Sequence, residues 1–408
     1  MKATIYPSRL AGDIPAIASK SQAHRLLICA ALSSRETVLR CGTLSADITA
    51  TADCLRALGA DIAYSDGVFT VRPIMAAPKT AVIDCGESGS TLRFLLPVVC
   101  ALGTDTTIVM HGRLPQRPLS PLWEELERHG AVLSRPTADT IHVASAPLTG
   151  GDYTLAADVS SQFISGLLFA LPLTGDGGRI QLTGTLESGA YLDMTVRAQK
   201  LFGIESVFDG GGYTVPAGQS YASPGEAVVE GDWSNAAFWV AASRILGGGL
   251  NVIGLSPDSP QGDRAVVEVS SRIAAGGAIV DCREIPDLVP VLAVLASVSP
   301  GETRFINAGR LRIKESDRLS TTAALITGLG GDVRELEDGL AVTGKASLTG
   351  GEADSVNDHR IAMSAAVAAI ACREPVILHG AEAVNKSYPA FWTDYQRLGG
   401  RVSLEDEP

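Results

Sequence analysis

Eight cations in this sequence sit where helix electrostatics disfavours them. Lys20 and Arg25 flank the predicted start of the helix SQAHRLLICAAL, and Arg93 follows Ser88 and Ser90 just ahead of FLL. Arg117 directly precedes PLSPLWEEL, where Ser120 and Pro121 suit the cap and the first helical position. Lys314 and Arg318 bracket the opening of ESDRLSTTAAL, Arg360 follows Asp358 before IAMSAAVAAIA, and Lys386 precedes Ser387 and Pro389. A helix N-terminus is already partly positive, so an exposed Lys or Arg there costs roughly 0.3 to 1 kcal/mol. A single such side chain bends away into water at little expense. Eight of them point to ligands carrying phosphate or carboxylate groups, because an anion reverses the sign of both the dipole and the side-chain contribution.

Neutral donors extend the pattern. Ser160, Ser161 and Gln162 offer hydroxyl and amide groups at the start of SSQFISGLLFALPL. In CGESGSTLR, Gly86 and Gly89 permit close backbone approach while Ser88 and Ser90 supply donors. Other chemistries lack their residues. GLAVTGK, residues 339–345, opens like a nucleotide phosphate loop, but Ala346 replaces the magnesium-binding hydroxyl and the LAV alternation reads as a hairpin strand. GESGS is not the hydrolase nucleophile elbow, and the six histidines form no metal-binding helix motif. No cofactor and no metal are expected. His24 and His359 adjoin the proposed anion ligands without an assigned role.

The elements that must position these groups follow a repeated plan. Six helical segments run into glycine, at Gly59, Gly130, Gly203, Gly277, Gly331 and Gly400, and strand character follows each. Hairpin signals come after four of them, as at Asp66-Gly67 and Asp338-Gly339. Six α/β units in 408 residues divide into three and three, with a crossing near Val228 to Asp232. The net charge of -12 argues against nucleic-acid and membrane-surface partners, so anion sites must be local. Seven cysteines are scattered singly, with no C-x-x-C pair, and read as small buried hydrophobes of a reducing compartment. With no apolar leader in the first residues, the expected location is the cytoplasm.

Taken in order, Lys20-Ser21-x-x-x-Arg25, GESGSTLR, Arg117-Pro118, Ser160-Ser161-Gln162, Ile285-Pro286-Asp287, LRIKESDR, NDHRIAM and Lys386 resemble the EPSP synthase family of enolpyruvyl transferases across nearly the whole chain. The resemblance implies an α/β protein of two similar lobes, each of three βαβαββ units in an inside-out barrel, with a ligand cleft between the lobes that closes on binding. It implies a lobe of residues 20–228, mainly for shikimate 3-phosphate, and a discontinuous lobe of 1–19 plus 229–408 carrying proton-handling carboxylates and phosphoenolpyruvate-binding cations. By resemblance, Lys20, Ser21, Arg25, Ser160, Ser161, Gln162, Ser188, Asp287 and Lys314 contact shikimate 3-phosphate, with Tyr191 close by. Lys20, Gly89, Arg117, Gln162, Arg318, Arg360 and Lys386 contact phosphoenolpyruvate, with Arg93 in support. Asp287 is then the candidate base for the attacking 5-hydroxyl, and Glu315 or Lys20 the proton donor to C3 of phosphoenolpyruvate. A monomer is expected. The chain departs from the family's usual residues at Glu87, in place of Asn, and at Ser90, in place of Thr; Arg310 is left unassigned.

Two other readings compete. The related enzyme that uses UDP-N-acetylglucosamine typically carries Cys before its Arg-Pro and Asn after its Lys, whereas this chain has RLPQRP and Ser21. A noncatalytic phosphosugar-binding protein would have no use for Asp287 and Glu315, since carboxylates oppose anion binding unless they handle protons.

Overall fold

The structure is a computed structural model, described over residues 1–406. Its contacts divide the chain into two units, residues 18–229 and residues 1–17 with 230–408. The chain opens with β1 (Lys2–Tyr6) and β2 (Gly12–Pro15), both belonging to the second of these units.

Residues 18–229 form three sheets around buried helices. The first third supplies α1 (Lys20–Ala31), β3 (Thr37–Arg40), α2 (Ala46–Ala57), β4 (Asp61–Ser65) and β5 (Val68–Arg72). The middle third supplies β6 (Thr80–Asp84), α3 (Gly89–Leu102), β7 (Asp105–Val109), α4 (Leu122–Arg128), β8 (Val132–Thr137) and β9 (Thr140–Ala144). The last third supplies β10 (Gly151–Ala156), α5 (Ser161–Ala170), β11 (Gly178–Thr183), α6 (Gly189–Leu201), β12 (Val207–Phe208) and β13 (Gly212–Val215), and the unit ends with β14 (Glu226–Val228). Strand orders are β14-β3-β5-β4, β6-β7-β9-β8 and β10-β11-β13-β12. In each sheet the first pair is parallel and the rest antiparallel, the outcome of a crossover helix followed by a hairpin. β14 closes the pattern, because the last strand of the unit completes its first sheet.

The helices lie inside and the sheets outside. Nine of the ten residues of α5 are buried, whereas five of the six in β8 are exposed. The sequence shows why: α5 reads SQFISGLLFA, apolar around most of its circumference, as a helix surrounded by protein must be.

The other unit repeats the plan with α7 (Trp233–Leu246), β15 (Leu250–Ile253), α8 (Val266–Gly276), β16 (Ala278–Asp281), α9 (Val289–Ser297), β17 (Glu302–Ile306), α10 (Arg318–Gly328), β18 (Asp332–Leu336) and β19 (Gly339–Thr343). It finishes with β20 (Gly351–Asp354), α11 (His359–Ala369), β21 (Val376–His379), α12 (Phe391–Arg397) and β22 (Arg401–Glu405). Every residue of α9 and α11 is buried. Its sheets are β16-β17-β19-β18, β20-β21-β1-β22 and the two-stranded β15-β2. The third copy is therefore abbreviated. After α8 the chain passes at Gly277 directly into β16, which pairs with β17 in the next sheet, so no hairpin follows.

Several expected boundaries move. Gly330 and Gly399, not Gly331 and Gly400, take the left-handed conformation after α10 and α12. GLAVTGK contains β19, so its hairpin reading holds. Ser120 and Pro121 are not cap and first position: α4 begins at Leu122 with Pro121 as a cap residue lacking a side-chain bond. Arg117 instead ends a short 3-10 turn, Leu114–Gln116, and Lys386 ends another, Ala381–Lys386. Among the described residues no helix is long and apolar enough to cross a membrane.

Candidate active-site residues

Helix starts fall into two groups. The first turns of α1, α3, α5, α6, α7, α10 and α11 contain no acidic residue. The first turns of α2, α4, α8 and α12 carry Asp47, Glu124 and Glu125, Glu268, and Asp394, as the helix dipole favours. The departure from ordinary dipole pairing is thus confined to particular helices.

In residues 18–229 the predicted groups form separate bonded sets. Arg25 is 2% exposed and donates to Thr195 Oγ1 (2.8 Å), to the Ser21 carbonyl (2.6 Å) and to the Tyr191 carbonyl (2.9 Å), tying α1 to α6. Its guanidinium also lies over the Phe94 ring of α3, 5.0 Å from the centroid. All these partners are neutral, and burial pushes Arg25 down to about 10. Arg93 donates to Gln162 Oε1 (3.0 Å) and to the Pro118 carbonyl (3.0 Å), and Gln162 Nε2 donates to Ser90 Oγ (3.0 Å). Those bonds join α3, α5 and the Arg117 loop.

Gly89 leaves room for two guanidiniums at their meeting point. A Cβ there would lie 2.5 Å from Arg117 Nη1 and 2.7 Å from Arg93 Nη1, so any larger residue would displace a guanidinium. Arg117 thus belongs to the start of α3, not to the helix that follows it in sequence. Ser160 caps α5 through Gln162 N, leaving Ser161 in its first turn, and Ser188 precedes α6 in the left-handed conformation. Lys20 pairs with Asp47 of α2 at 2.8 Å.

His24 acts as scaffold here. Its Nδ1 is 2.7 Å from Thr51 Oγ1, which is 2.6 Å from Thr91 Oγ1, which donates to the α3 cap Ser88 Oγ at 2.8 Å. Since Thr91 spends its one proton on Ser88, Thr51 must donate to Thr91, and His24 Nδ1–H must donate to Thr51. Burial, then Lys20 and Arg25, hold the imidazole well below its ordinary value, so it is neutral. It thereby braces the starts of α1 and α3.

In the other unit the cations meet carboxylates. Arg318, 1% exposed, donates from Nε to Asp358 Oδ2 (2.8 Å), from Nη1 to Asp287 Oδ1 (2.9 Å), and from Nη2 to Glu315 Oε2 (2.6 Å) and Asp358 Oδ1 (3.3 Å). Arg360 donates to Asp287 Oδ2 (2.9 Å), the Asp287 carbonyl (3.1 Å) and Ser234 Oγ (2.7 Å). Burial would raise Asp287, yet Arg360, Lys314 and Arg318 together hold it far below the usual carboxylate range. Arg318 is raised above its ordinary value, the fields of Asp358, Glu315 and Asp287 outweighing its burial. Lys314 is half-buried and pushed down to about 8, mainly by burial. Lys386 donates to the Asn357 carbonyl (2.6 Å), beside the Asp358 cap of α11, so it too serves a neighbouring helix start. Val356 and Asn357 there have positive φ, 49° and 55°, which strains a β-branched valine.

The structure joins Arg25 to Ser21 and Tyr191, Arg93 through Gln162 to Ser90 beside Gly89 and Arg117, and Arg318 and Arg360 to Asp287, with Glu315 also on Arg318. Lys20, in contrast, pairs with Asp47, and Lys386 with the Asn357 carbonyl. Sequence reasoning missed Asp47, Thr195, Ser234 and the clamping role of Asp358. Asp358 carried a signal as a cap residue, but its grip on Arg318 needs side chains forty positions apart, and the others carried none. Among the described residues, no cluster of three His, Cys, Asp or Glu side chains could hold a metal ion.

Comparison with known proteins identifies a family over nearly the whole chain. Residues 5–395 match the family described as EPSP synthase (3-phosphoshikimate 1-carboxyvinyltransferase). The chain is 39% identical to a 3-phosphoshikimate 1-carboxyvinyltransferase of Clostridium kluyveri, over 98% of this chain and 97% of the relative. It is 40% identical to one of Clostridium acetobutylicum, again over 98% and 97%. A solved EPSP synthase of Acinetobacter baumannii superposes with a TM-score of 0.82 at 24% identity, over 99% of this chain and all 100% of that one. The enolpyruvyl transferase NikO of Streptomyces tendae superposes at 0.75 with 16% identity, over 98% of both chains. At those identities the superpositions speak to the fold alone.

Proposed function

The chain belongs to the EPSP synthase family, and from that premise we propose how its residues divide the reaction. The reaction transfers the enolpyruvyl group of phosphoenolpyruvate to the 5-hydroxyl of shikimate 3-phosphate and releases phosphate. Shikimate 3-phosphate is held by Lys20, Ser21, Arg25, Ser160, Ser161, Gln162, Ser188, Asp287 and Lys314. Phosphoenolpyruvate is held by Lys20, Gly89, Arg117, Gln162, Arg318, Arg360 and Lys386. The observation that carries this reading is Arg25: a buried cation whose donors all go to neutral groups, at the acid-free start of α1. An incoming phosphate supplies the charge that the protein withholds.

The 5-hydroxyl loses its proton to Asp287 as it attacks C2, while C3 gains one from Glu315 or Lys20. The tetrahedral adduct then collapses, C3 returning its proton and phosphate leaving. Asp287 clamped by two guanidiniums is a weak base. Substrate anions that draw Arg318 and Arg360 toward themselves loosen that clamp and raise the basicity of Asp287 when it is needed. Arg318 has five N–H donors, of which the four bonds above use all but one on Nη1, so one donor stands ready for phosphoenolpyruvate and a bidentate grip requires one of its carboxylate partners to give way.

The reading includes a monomeric enzyme working in the cytoplasm, consistent with seven free, buried cysteines. Phosphate release is expected from phosphoenolpyruvate with shikimate 3-phosphate and not with UDP-N-acetylglucosamine. Release with the nucleotide sugar alone would sink it. Sedimentation velocity tests the monomer.

A further inference from the structure

One buried carboxyl beside this chemistry has no place in the assignments above. Asp263 lies in the 3-10 turn Gly262–Ala265, is 3% exposed, and has an Oδ1 that is buried without any hydrogen-bond partner. The Ser234 hydroxyl, in the first turn of α7, lies beside it. Ser234 Oγ in turn accepts from Arg360 Nη2 at 2.7 Å, and the same Nη2 donates to Asp287 Oδ2 at 2.9 Å. Four side chains from four elements therefore form one line: Asp263, Ser234, Arg360, Asp287.

The geometry constrains the protons. A bare carboxylate oxygen sealed from water with no donor is costly, whereas the carbonyl oxygen of a neutral acid in the same place costs far less. A protonated Asp263 can donate to Ser234 Oγ, which still accepts from Arg360. An ionised Asp263 takes the Ser234 proton instead, and its charge adds to that of Asp287 around one guanidinium. The charged groups facing Asp263 are Asp287 of the segment 286–288, Arg360 of α11 and Asp232 capping α7. Burial first and then Asp287 push Asp263 up to about 7, with Arg360 opposing.

We propose that Asp263 is a positioning residue for enolpyruvyl transfer, a buried carboxyl that acts through the Ser234 hydroxyl to set how strongly Arg360 is shared between the protein and phosphoenolpyruvate. The proposal rests on the assignment of Arg360 and Asp287 given above. With its proton on, Asp263 leaves Arg360 to Asp287 and to the incoming carboxylate. With its proton off, Asp263 draws Arg360 back and weakens that grip. The KM for phosphoenolpyruvate therefore rises with pH through neutrality.

Two measurements on the full chain test it. Because the folded-state value lies above the ordinary 3.8, Asp263 lowers stability progressively as pH rises from about 4 to about 7. Denaturant unfolding of the ligand-free protein should show this decline in the parent and a smaller one in Asp263→Asn, whose amide mimics the neutral acid. Steady-state kinetics from pH 6 to 8 should show KM for phosphoenolpyruvate rising about three- to tenfold in the parent. In Asp263→Asn it should stay near the parent's low-pH value. A parent-like KM profile in Asp263→Asn overturns the proposal. Should that variant not fold, Ser234→Ala keeps the carboxyl and cuts the link. It should flatten the KM profile while the stability decline persists, and an unchanged KM profile overturns the proposal equally. Arg360→Lys with unaltered KM for phosphoenolpyruvate would overturn both this inference and the assignment beneath it, while leaving the ligand-free stability difference of Asp263→Asn intact.

Discussion

Arg25 and Arg318 are both buried near the start of a helix with no acid in its first turn, yet the protein compensates them in opposite ways. Arg25 meets two carbonyls and a hydroxyl, and burial lowers its proton affinity. Arg318 meets Asp287, Glu315 and Asp358, and its proton affinity rises. On the proposed assignment, the countercharge of Arg25 in residues 18–229 comes from a ligand. The other unit builds countercharge in, gathering three carboxylates around one guanidinium, with Arg360 also holding Asp287. On that assignment, one arrangement serves as a receptor and the other as a clamp.

The sharpest way to break this contrast is to remove each arginine. Arg318→Met leaves three carboxylates close together without their shared partner, two of them partly and one fully buried, and should cost about 3 to 5 kcal/mol of unfolding free energy. Chemical denaturation at pH 7.5 measures it. A loss below about 1 kcal/mol would mean that the carboxylates relax into water and that Arg318 is no clamp.

Next in size is the carboxylate that the clamp restrains. Asp287→Asn should lower kcat about 100-fold or more, because the amide keeps the shape but accepts no proton. Calorimetric titration should find shikimate 3-phosphate binding within about threefold of the parent. Near-normal turnover at saturation would move the base to Glu315 or Lys20, and the clamp would then be structural alone.

Arg25→Met should show the reverse profile. Unfolding free energy should change by no more than about 1 kcal/mol, since a buried charge with neutral partners is replaced by an apolar side chain of similar length. Affinity for shikimate 3-phosphate should fall by about 1.5 to 3 kcal/mol, one charge-assisted hydrogen bond. Undiminished affinity by direct titration would remove Arg25 from the receptor.

How much of this was legible in sequence follows from which interactions are local. Lys20, Arg25 and Arg360 were readable because their helix and its start lie within a few residues of them, and the inner helices because apolar runs such as VPVLAVLAS admit no solvent face. The destination of Arg117 and Lys386 was not readable: each belongs to a helix start that the chain reaches elsewhere, Gly89 and Asp358. The clamp was equally hidden, because Asp358 and Arg318 are joined only by the packing of α10 against α11. The abbreviated third sheet of the second unit was half visible, since the hairpin signal is missing after Gly277 and Gly400, but sequence alone does not say that β1 and β2 come from the chain start to fill two places.

Lys314 supplies the smallest and most specific effect, and it tests both sides of the comparison. It stands among the clamp's charges, with Asp287 and Glu315 favouring its ammonium form and Arg310, Arg318 and burial opposing it; burial is largest, and the result is about 8. The group is a base whose value is lowered, so the free enzyme loses its positive charge as pH rises through about 8. The bound phosphate restores the proton by its own charge, and binding above that pH must therefore take up a proton. Affinity for shikimate 3-phosphate should be level below pH 7.5 and about tenfold weaker at pH 9, where roughly one molecule in ten retains the charge. Lys314→Arg should remove this decline, because guanidinium does not titrate in that range, even if its affinity at pH 7 is somewhat lower. Titrations in two buffers of different ionisation enthalpy give the proton uptake directly. If the parent's affinity were flat to pH 9, Lys314 would not be a ligand group, and the clamp's unit would then contribute to shikimate 3-phosphate only through Asp287.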